Sequence, residues 1–127
     1  MPHSLRLYKR EKLCSRTDIN NLFARGRSVI AYPVRCVYVV KSEAEGDAQF
    51  LITIPKKKIR KAVSRVLLRR RIREAYRLNR DLLPQVEGRV QMAFVWLSEE
   101  TAPYSEIETK VKEILTRIAT ASQPKQK

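Results

Sequence analysis

The 127-residue chain has a single histidine, three glycines, two cysteines and only 13 acidic residues. Because His3 is the sole histidine, the chain cannot assemble a histidine-based nucleophile relay or a zinc site of ordinary composition. No run of about 18 apolar residues is present, and the opening MPHSLRLYKREK lacks the apolar core of a secretory signal. These absences exclude the commonest hydrolytic sites and predict a cytoplasmic protein that does not associate with membranes.

The cysteines and the apolar content indicate how the chain is organised. Cys14 and Cys36 are predicted to be free thiols, because disulfides are rare in proteins that are not exported. An apolar content of 43% is sufficient for one hydrophobic core. We therefore predict a single domain over residues 1–127, with an ordered core from about 8 to 120 and a polar C-terminal tail over 121–127.

Capping signals and periodicity predict a short first helix from about Arg16 to Arg25. Ser15 followed three residues later by Asp18 resembles an N-cap, and Gly26 can close the C-terminus. The apolar residues between these signals recur at helical spacing: Ile19, Leu22 and Phe23.

Three segments have the composition of strands. Residues 34–40, VRCVYVV, are apolar on both faces, and the polar segment KSEAEGDAQ that follows, with Gly46 inside it, predicts a hairpin. Alternation over residues 50–54 predicts the second strand, which Pro55 ends because proline cannot donate to a ladder. RVQMAFVW, residues 89–96, alternates as a third strand.

A final helix is predicted from about Pro103 to Ala119. Its apolar stripe faces the predicted core: Ile107, Val111, Ile114, Leu115 and Ile118. With the helix described next, the element order is α, β, β, α, β, α, which fits a single α+β domain of two layers.

The segment from Lys56 to Arg80 concentrates the positive charge. It contains twelve lysines and arginines and one acid, Glu74, and so supplies +11 of the formal net charge of +14. Such a concentration predicts a polyanionic partner, and a phosphate backbone is the usual one.

Residues 63–83 form an amphipathic helix when they are plotted at about 100° per residue, and Pro84 and Gly88 interrupt it. One arc contains arginines: Arg69, Arg70, Arg73, Arg77 and Arg80. The opposite side is aliphatic and predicts a core face: Leu68, Ile72, Ala75, Leu78, Leu82 and Leu83. Val66 projects into the arginine arc and Leu67 lies at its margin, so these two residues do not fit the pattern.

The arginine face favours nucleic acid over two alternatives. Guanidinium groups bind phosphate oxygens through two donors at once, whereas in isolation like charges one turn apart repel each other. A solvated face that only maintains solubility is the general alternative. A membrane-surface helix is disfavoured, because the apolar side is needed for the core and contains no tryptophan or phenylalanine.

Other residues admit a functional and a structural interpretation. Glu74 and Asp81 could hold a metal ion, but an ion pair within the basic helix is the interpretation we favour for Glu74. Four aromatic residues could stack on unpaired bases, although a core or hairpin position is the simpler interpretation of each: Phe23, Tyr32, Tyr38 and Phe50. We predict no catalytic residue and no metal site in the chain.

The basic segment resembles a family signature. TIPKKKIRKAVSRVLLRRRIREAYR is similar to the motif of the bacterial ribonuclease P protein subunit, in which a strand leads through lysines into an arginine-rich helix. The resemblance covers roughly residues 5 to 120. Where the family motif has an asparagine and a second arginine, this chain has Val66 and Leu67. LCSRTDINNLFARGRSV resembles the opening helix of the family, with five residues at the expected places: Leu13, Asp18, Phe23, Gly26 and Ser28.

The resemblance implies a mixed four-stranded sheet packed with three helices, including an unusual left-handed β-α-β crossover. It implies that a catalytic RNA subunit with bound Mg²⁺ performs catalysis, and that the protein binds no cofactor and is a monomer in a 1:1 ribonucleoprotein. The predicted RNA contacts are ten basic residues: Lys56, Lys57, Lys58, Arg60, Lys61, Arg65, Arg69, Arg70, Arg73 and Arg77.

The family also implies a cleft between the first helix and the sheet that holds the single-stranded 5′ leader of precursor tRNA. Five residues are candidates for this cleft: Arg16, Ile19, Phe23, Tyr32 and Arg35. Such a protein assists endonucleolytic removal of the leader in tRNA 5′ maturation. The alternatives are a structural RNA-binding protein, such as a ribosomal component, and a nuclease that acts without RNA.

Overall fold

The computed structural model describes residues 11–41, 48–83 and 89–122. The helices are α1 (Arg16–Arg25), α2 (Ala62–Asn79) and α3 (Tyr104–Ser122), and a 3₁₀ turn (Arg80–Leu82) follows α2. The strands are β1 (Arg27–Ala31), β2 (Val34–Lys41), β3 (Gln49–Thr53) and β4 (Arg89–Trp96). The predictions for Gly46, Pro84, Gly88 and the extreme C-terminal tail lie outside the described residues.

The bounds and caps predicted for α1 are confirmed. The Ser15 hydroxyl accepts a hydrogen bond from the Asp18 N–H at 3.3 Å, and the Gly26 N–H donates to the Leu22 carbonyl at 2.7 Å. Gly26 has an ordinary negative φ. A Cβ there would lie 2.4 Å from the Leu22 oxygen and 2.6 Å from Val37 Cγ1, so close approach is what requires glycine.

The sheet has the strand order β1-β2-β4-β3, in which β3 and β4 are parallel and the other pairs are antiparallel. The hairpin predicted between residues 34–40 and 50–54 is wrong. β2 is hydrogen-bonded to β1 on one side and to β4 on the other, so neither of its edges is available to β3. The hairpin of the fold joins β1 and β2, and β1 was not predicted.

β3, α2 and β4 form a β-α-β connection, since α2 lies between two adjacent parallel strands. The mixed four-stranded sheet and the three helices are therefore confirmed as one α+β domain. The left-handed sense of this connection remains a prediction of the family resemblance.

The main core lies between one face of the sheet and the layer formed by α2 and α3. Leu68, Ile72 and Ala75 of α2 are fully buried, as predicted, but Leu78 and Leu82 are 40% and 43% exposed. Leu82 is exposed because α2 ends at Asn79 and the 3₁₀ turn after it advances by a different angle per residue. Leu78 is still within α2 but lies at the margin of the aliphatic side, about 80° from Leu68. Tyr76 is buried instead, with its ring centroid 4.4 Å from that of Phe50.

α1 lies on the opposite face of the sheet, which the two-layer description did not include. Leu13 and Leu22 pack there with Val37 of β2 and Ala93 of β4, and Ile19 is partly buried beside them. Side chains alternate between the faces of a strand. Cys36, Tyr38, Met92 and Phe94 consequently face the main core.

An ion pair anchors the start of α1 to the sheet. Asp18 accepts hydrogen bonds from Lys41 at 2.6 Å and from the buried Gln91 amide at 3.2 Å. These hydrogen bonds, that of Lys41 first, lower the pKa of the Asp18 carboxyl below its ordinary value.

Replacing Asp18 by asparagine should lower the free energy of unfolding at neutral pH by about 1 kcal/mol. Because the folded-state pKa is lowered, the carboxylate stabilises the fold above the pKa of the unfolded state, and this contribution is lost as the pH falls through the folded-state pKa. Urea unfolding of both proteins from pH 7 to pH 3 should therefore show a difference that shrinks in the acid range. A difference that does not change with pH would contradict this role.

Candidate nucleic-acid interface

α2 presents guanidinium groups on the side away from the core. Arg69, Arg70 and Arg73 are exposed, whereas Leu68 and Ile72 on the opposite side are fully buried. Packing of the aliphatic face on the sheet therefore directs these three arginines into solvent. No acidic residue precedes Glu74 in this helix, so the exposed face has one sign of charge.

Two other arginines of the predicted arc take part in ion pairs within the protein. Arg77 donates to Glu74 at 2.6 Å, which confirms the ion pair predicted for Glu74 and lowers the pKa of that carboxyl. Arg80 donates to both carboxylate oxygens of Glu11, at 2.6 and 2.8 Å, and its side chain is only 15% exposed. Arg80 therefore stabilises the fold and does not belong to the exposed arginine face.

The basic loop, residues 56–61, leads into α2, and its conformation is fixed by one buried side chain and by hydrogen bonds at its start and its end. Ile59 is buried in the main core, and its N–H and that of Lys58 donate to the Pro55 carbonyl. The Arg65 guanidinium donates to the carbonyls of Ile59 and Arg60, at 3.0 and 2.8 Å. Arg65, predicted as an RNA contact, is thus half-buried and orders the loop. The loop's charged side chains remain exposed: Lys56, Lys57, Lys58, Arg60 and Lys61.

The basic loop also borders a cleft of about 410 Å³ beside the N-terminus of α2. Ser64, Glu99 and Thr101 complete its lining. Lys61 occupies the N-cap position, its side chain makes no capping hydrogen bond, and the first turn contains no acid. The first N–H groups of α2 therefore add a partial positive charge to that of the basic side chains, while Glu99 contributes one negative charge to the lining.

The two residues that depart from the family motif lie on the surface. Val66 is 49% exposed and Leu67 is 39% exposed, and Val63, one turn earlier, is 81% exposed. None of them belongs to either core cluster among the described residues.

A second candidate surface lies on the α1 face of the sheet. Arg35 and Val37 are two residues apart on β2 and so share this face. Arg35 donates to the Ser28 hydroxyl on β1 at 3.0 and 3.2 Å. The strand register places three residues in one row with Arg35: Thr53, Val95 and Ile30.

The five predicted cleft residues lie on α1, on β2 and in the turn between β1 and β2. Phe23 is 48% exposed near the end of α1, and Tyr32 is 62% exposed in the turn between β1 and β2. Ile19 is half-buried against the sheet, and Arg16 lies about two turns of helix before Phe23. The core interpretation is confirmed for Tyr38 and Phe50, which are buried at 4% and 6% exposure.

Sequence reasoning missed the row-forming residues Ile30, Val95 and Thr53. Ile30 is 51% exposed and lies on β1, a strand that was not predicted. The consecutive β-branched Val29 and Ile30 were a signal for that strand. The neighbours of Arg35 could not be inferred, because they depend on the register of three strands.

Neither a metal site nor a membrane-spanning helix is found among the described residues. No group of three or more histidine, cysteine, aspartate or glutamate residues there could hold a metal ion. No helix described is long and apolar enough to cross a membrane.

Cys14 is exposed and Cys36 is buried, and the two are not paired, as predicted.

Comparisons with known proteins agree with this architecture. The chain is 37% identical over 123 residues to the ribonuclease P protein components of two strains of Porphyromonas gingivalis, covering 93% of this chain and 90% of each relative.

Solved structures of ribonuclease P proteins have the same fold. The protein from Thermotoga maritima superposes with a TM-score of 0.70 at 24% identity, over 84% of this chain and 96% of that one. The Staphylococcus aureus protein gives a TM-score of 0.69 at 16% identity, over 89% and 98% of the two chains. The family model for ribonuclease P matches residues 7–119, and the chain therefore belongs to the ribonuclease P protein family.

Proposed function

We propose that this chain is the protein subunit of ribonuclease P, and that it assists endonucleolytic removal of the 5′ leader from precursor tRNA in the cytoplasm. The observation that carries the proposal is the pair of surfaces described above in a member of this family. α2 with the basic loop binds the catalytic RNA, and the α1 side of the sheet binds the leader.

The first surface suits a folded RNA backbone. Arg69, Arg70 and Arg73 are exposed on one face, and each guanidinium can contact a phosphate through two donors. The exposed lysines of the basic loop add further phosphate contacts. Binding releases counterions condensed on the RNA, so affinity falls steeply as salt is raised.

The second surface suits a single strand. Phe23 and Tyr32 offer exposed aromatic rings on which unpaired bases can stack, and Arg35 offers a charge near Ile30 and Val95. A leader held there increases the affinity for precursor tRNA relative to the product, which no longer carries the leader.

The two surfaces lie on different sides of the sheet. α2 packs on the main-core face, and α1 packs on the other. One protein molecule can therefore hold the catalytic RNA and the leader at the same time, as a monomer in a 1:1 complex. In this proposal Mg²⁺ is bound by the RNA subunit, which performs the cleavage, and the protein contributes binding and positioning.

Reconstitution tests the proposal. The chain, added to its cognate catalytic RNA at low Mg²⁺, should increase the rate of precursor tRNA cleavage, because it neutralises phosphates and holds the leader. The same protein without RNA should not cleave. No gain in cleavage would refute the proposal, and co-purification of ribosomal RNA without the catalytic RNA would favour a structural RNA-binding protein.

A further inference from the structure

Three apolar side chains are exposed on the first two turns of α2. Val63, Val66 and Leu67 are 81%, 49% and 39% exposed. Spaced i, i+3 and i+4, they are neighbours on the helix surface and extend over about 6 Å of its axis. We call these three residues the apolar platform. Leu68 in the same turn is fully buried, so the helix is packed where the platform is exposed.

Positive charge surrounds the apolar platform. Exposed Arg60 and Lys61 precede it, and exposed Arg69 and Arg70 lie one turn beyond Val66. This charge disfavours contact with a second copy of the same chain, whose formal net charge is +14. The same charge is complementary to a polyanion whose repeating unit also has an apolar part, and a single-stranded segment of RNA has this chemistry.

We propose that the apolar platform binds an unpaired nucleobase of the RNA, while the flanking arginines bind the phosphates on either side of that nucleotide. The inference rests on the proposed function and specifies one contact within it. The face of a base is weakly polar and can pack flat on valine and leucine side chains. Where the family motif has polar residues, this chain would recognise RNA by packing on a base.

The proposal separates two contributions to affinity that respond differently to salt. Phosphate contacts by arginine release counterions, and each adds about 0.7 to 0.9 to the slope of log K against log salt. Packing of an uncharged base on aliphatic side chains releases none. Substitutions in the platform should therefore change affinity without changing this slope.

The test uses the full chain and its cognate catalytic RNA in filter-binding titrations at several salt concentrations. The double variant Val66→Ser/Leu67→Ser should bind about tenfold more weakly, near the lower end of the range for a base stacked on an aromatic side chain, because valine and leucine offer a smaller flat surface. Its salt slope should equal that of the wild type. The matched variant Val66→Ile/Leu67→Met keeps the surface apolar and should retain the wild-type affinity.

Circular dichroism and thermal unfolding establish that each variant is folded. Should the double variant not fold, the single variant Val63→Ser at the most exposed position carries the same prediction, with a smaller loss. Wild-type affinity in a folded serine variant would overturn the inference. A lowered salt slope would also overturn it, since the platform would then act by orienting arginines.

Two further outcomes separate this inference from the proposed function. If the wild type stimulates cleavage and the serine variant binds RNA equally well but changes its oligomeric state or loses a protein partner, the platform is a protein interface and only this inference fails. If the wild type neither binds the catalytic RNA nor stimulates cleavage, the proposed function fails and the inference fails with it.

Discussion

Replacing Arg69 and Arg73 together by alanine should weaken binding of the catalytic RNA and lower the slope of log K against log salt by about 1.4 to 1.8. Both side chains are exposed on α2. At roughly 1 kcal/mol or more for each charge-assisted contact, the loss of affinity should reach at least about 30-fold near physiological salt. Filter binding from low to moderate salt measures both quantities.

A matched control is available on α3. Lys110→Ala/Lys112→Ala removes the same charge outside both candidate surfaces and should change the slope much less. Equal losses in the two double variants would mean that RNA responds only to net charge, and the arginine face would then be a solvated surface. Stability should change little in the arginine variant, because exposed substitutions usually shift it by less than about 0.5 kcal/mol. Lys110 is half-buried, so thermal unfolding of the lysine variant is measured alongside.

Arg80→Met should have the opposite outcome, a large loss of stability with little effect on the salt slope of RNA binding. The Glu11 and Arg80 side chains are 7% and 15% exposed and are joined by two hydrogen bonds. The variant removes both bonds from a nearly buried carboxylate, which typically costs about 3 kcal/mol or more. Urea unfolding at neutral pH measures the loss.

A double-mutant cycle with Glu11→Gln identifies the cause of that loss. If the ion pair is responsible, the double variant should be much less destabilised than the sum of the two single variants. Arg73→Met, on the same arc of α2 but exposed, is the control and should unfold like the wild type. If Arg80→Met has wild-type stability but a lowered salt slope of RNA binding, Arg80 contacts the RNA and the structural role proposed for it is wrong.

The contrast between Arg73 and Arg80 shows how far a helical projection can be used. Both arginines fall in one arc of the helical projection. In the structure, however, Arg73 is exposed to solvent, whereas Arg80 forms an ion pair with Glu11, 69 residues earlier. Arg77 likewise forms an ion pair with Glu74. Arg65 donates hydrogen bonds to the loop carbonyls of Ile59 and Arg60. The charge pattern predicted the face and the ion pair of Glu74, whereas Glu11, the partner of Arg80, comes from a distant part of the chain.

The strands show the same division. Composition located β2, β3 and β4 closely, because each is a run of apolar or alternating residues. The pairing was predicted wrongly, since adjacency in the sequence suggested a hairpin between β2 and β3. The strand that pairs with a given edge is set by the tertiary fold. The five-residue strand β1 pairs with one edge of β2 and β4 pairs with the other, so β3 cannot pair with β2.

By itself, the sequence determined the existence of the helices, the basic segment, the amphipathic character of α2 and the family. These properties depend on composition and on spacing within one element. Only the tertiary structure decided that α1 covers the other sheet face, that Arg35 lies with Ile30, Val95 and Thr53, and that Arg80 pairs with Glu11. Each of these depends on contacts between distant segments, and the strand register and the packing of the core set those contacts.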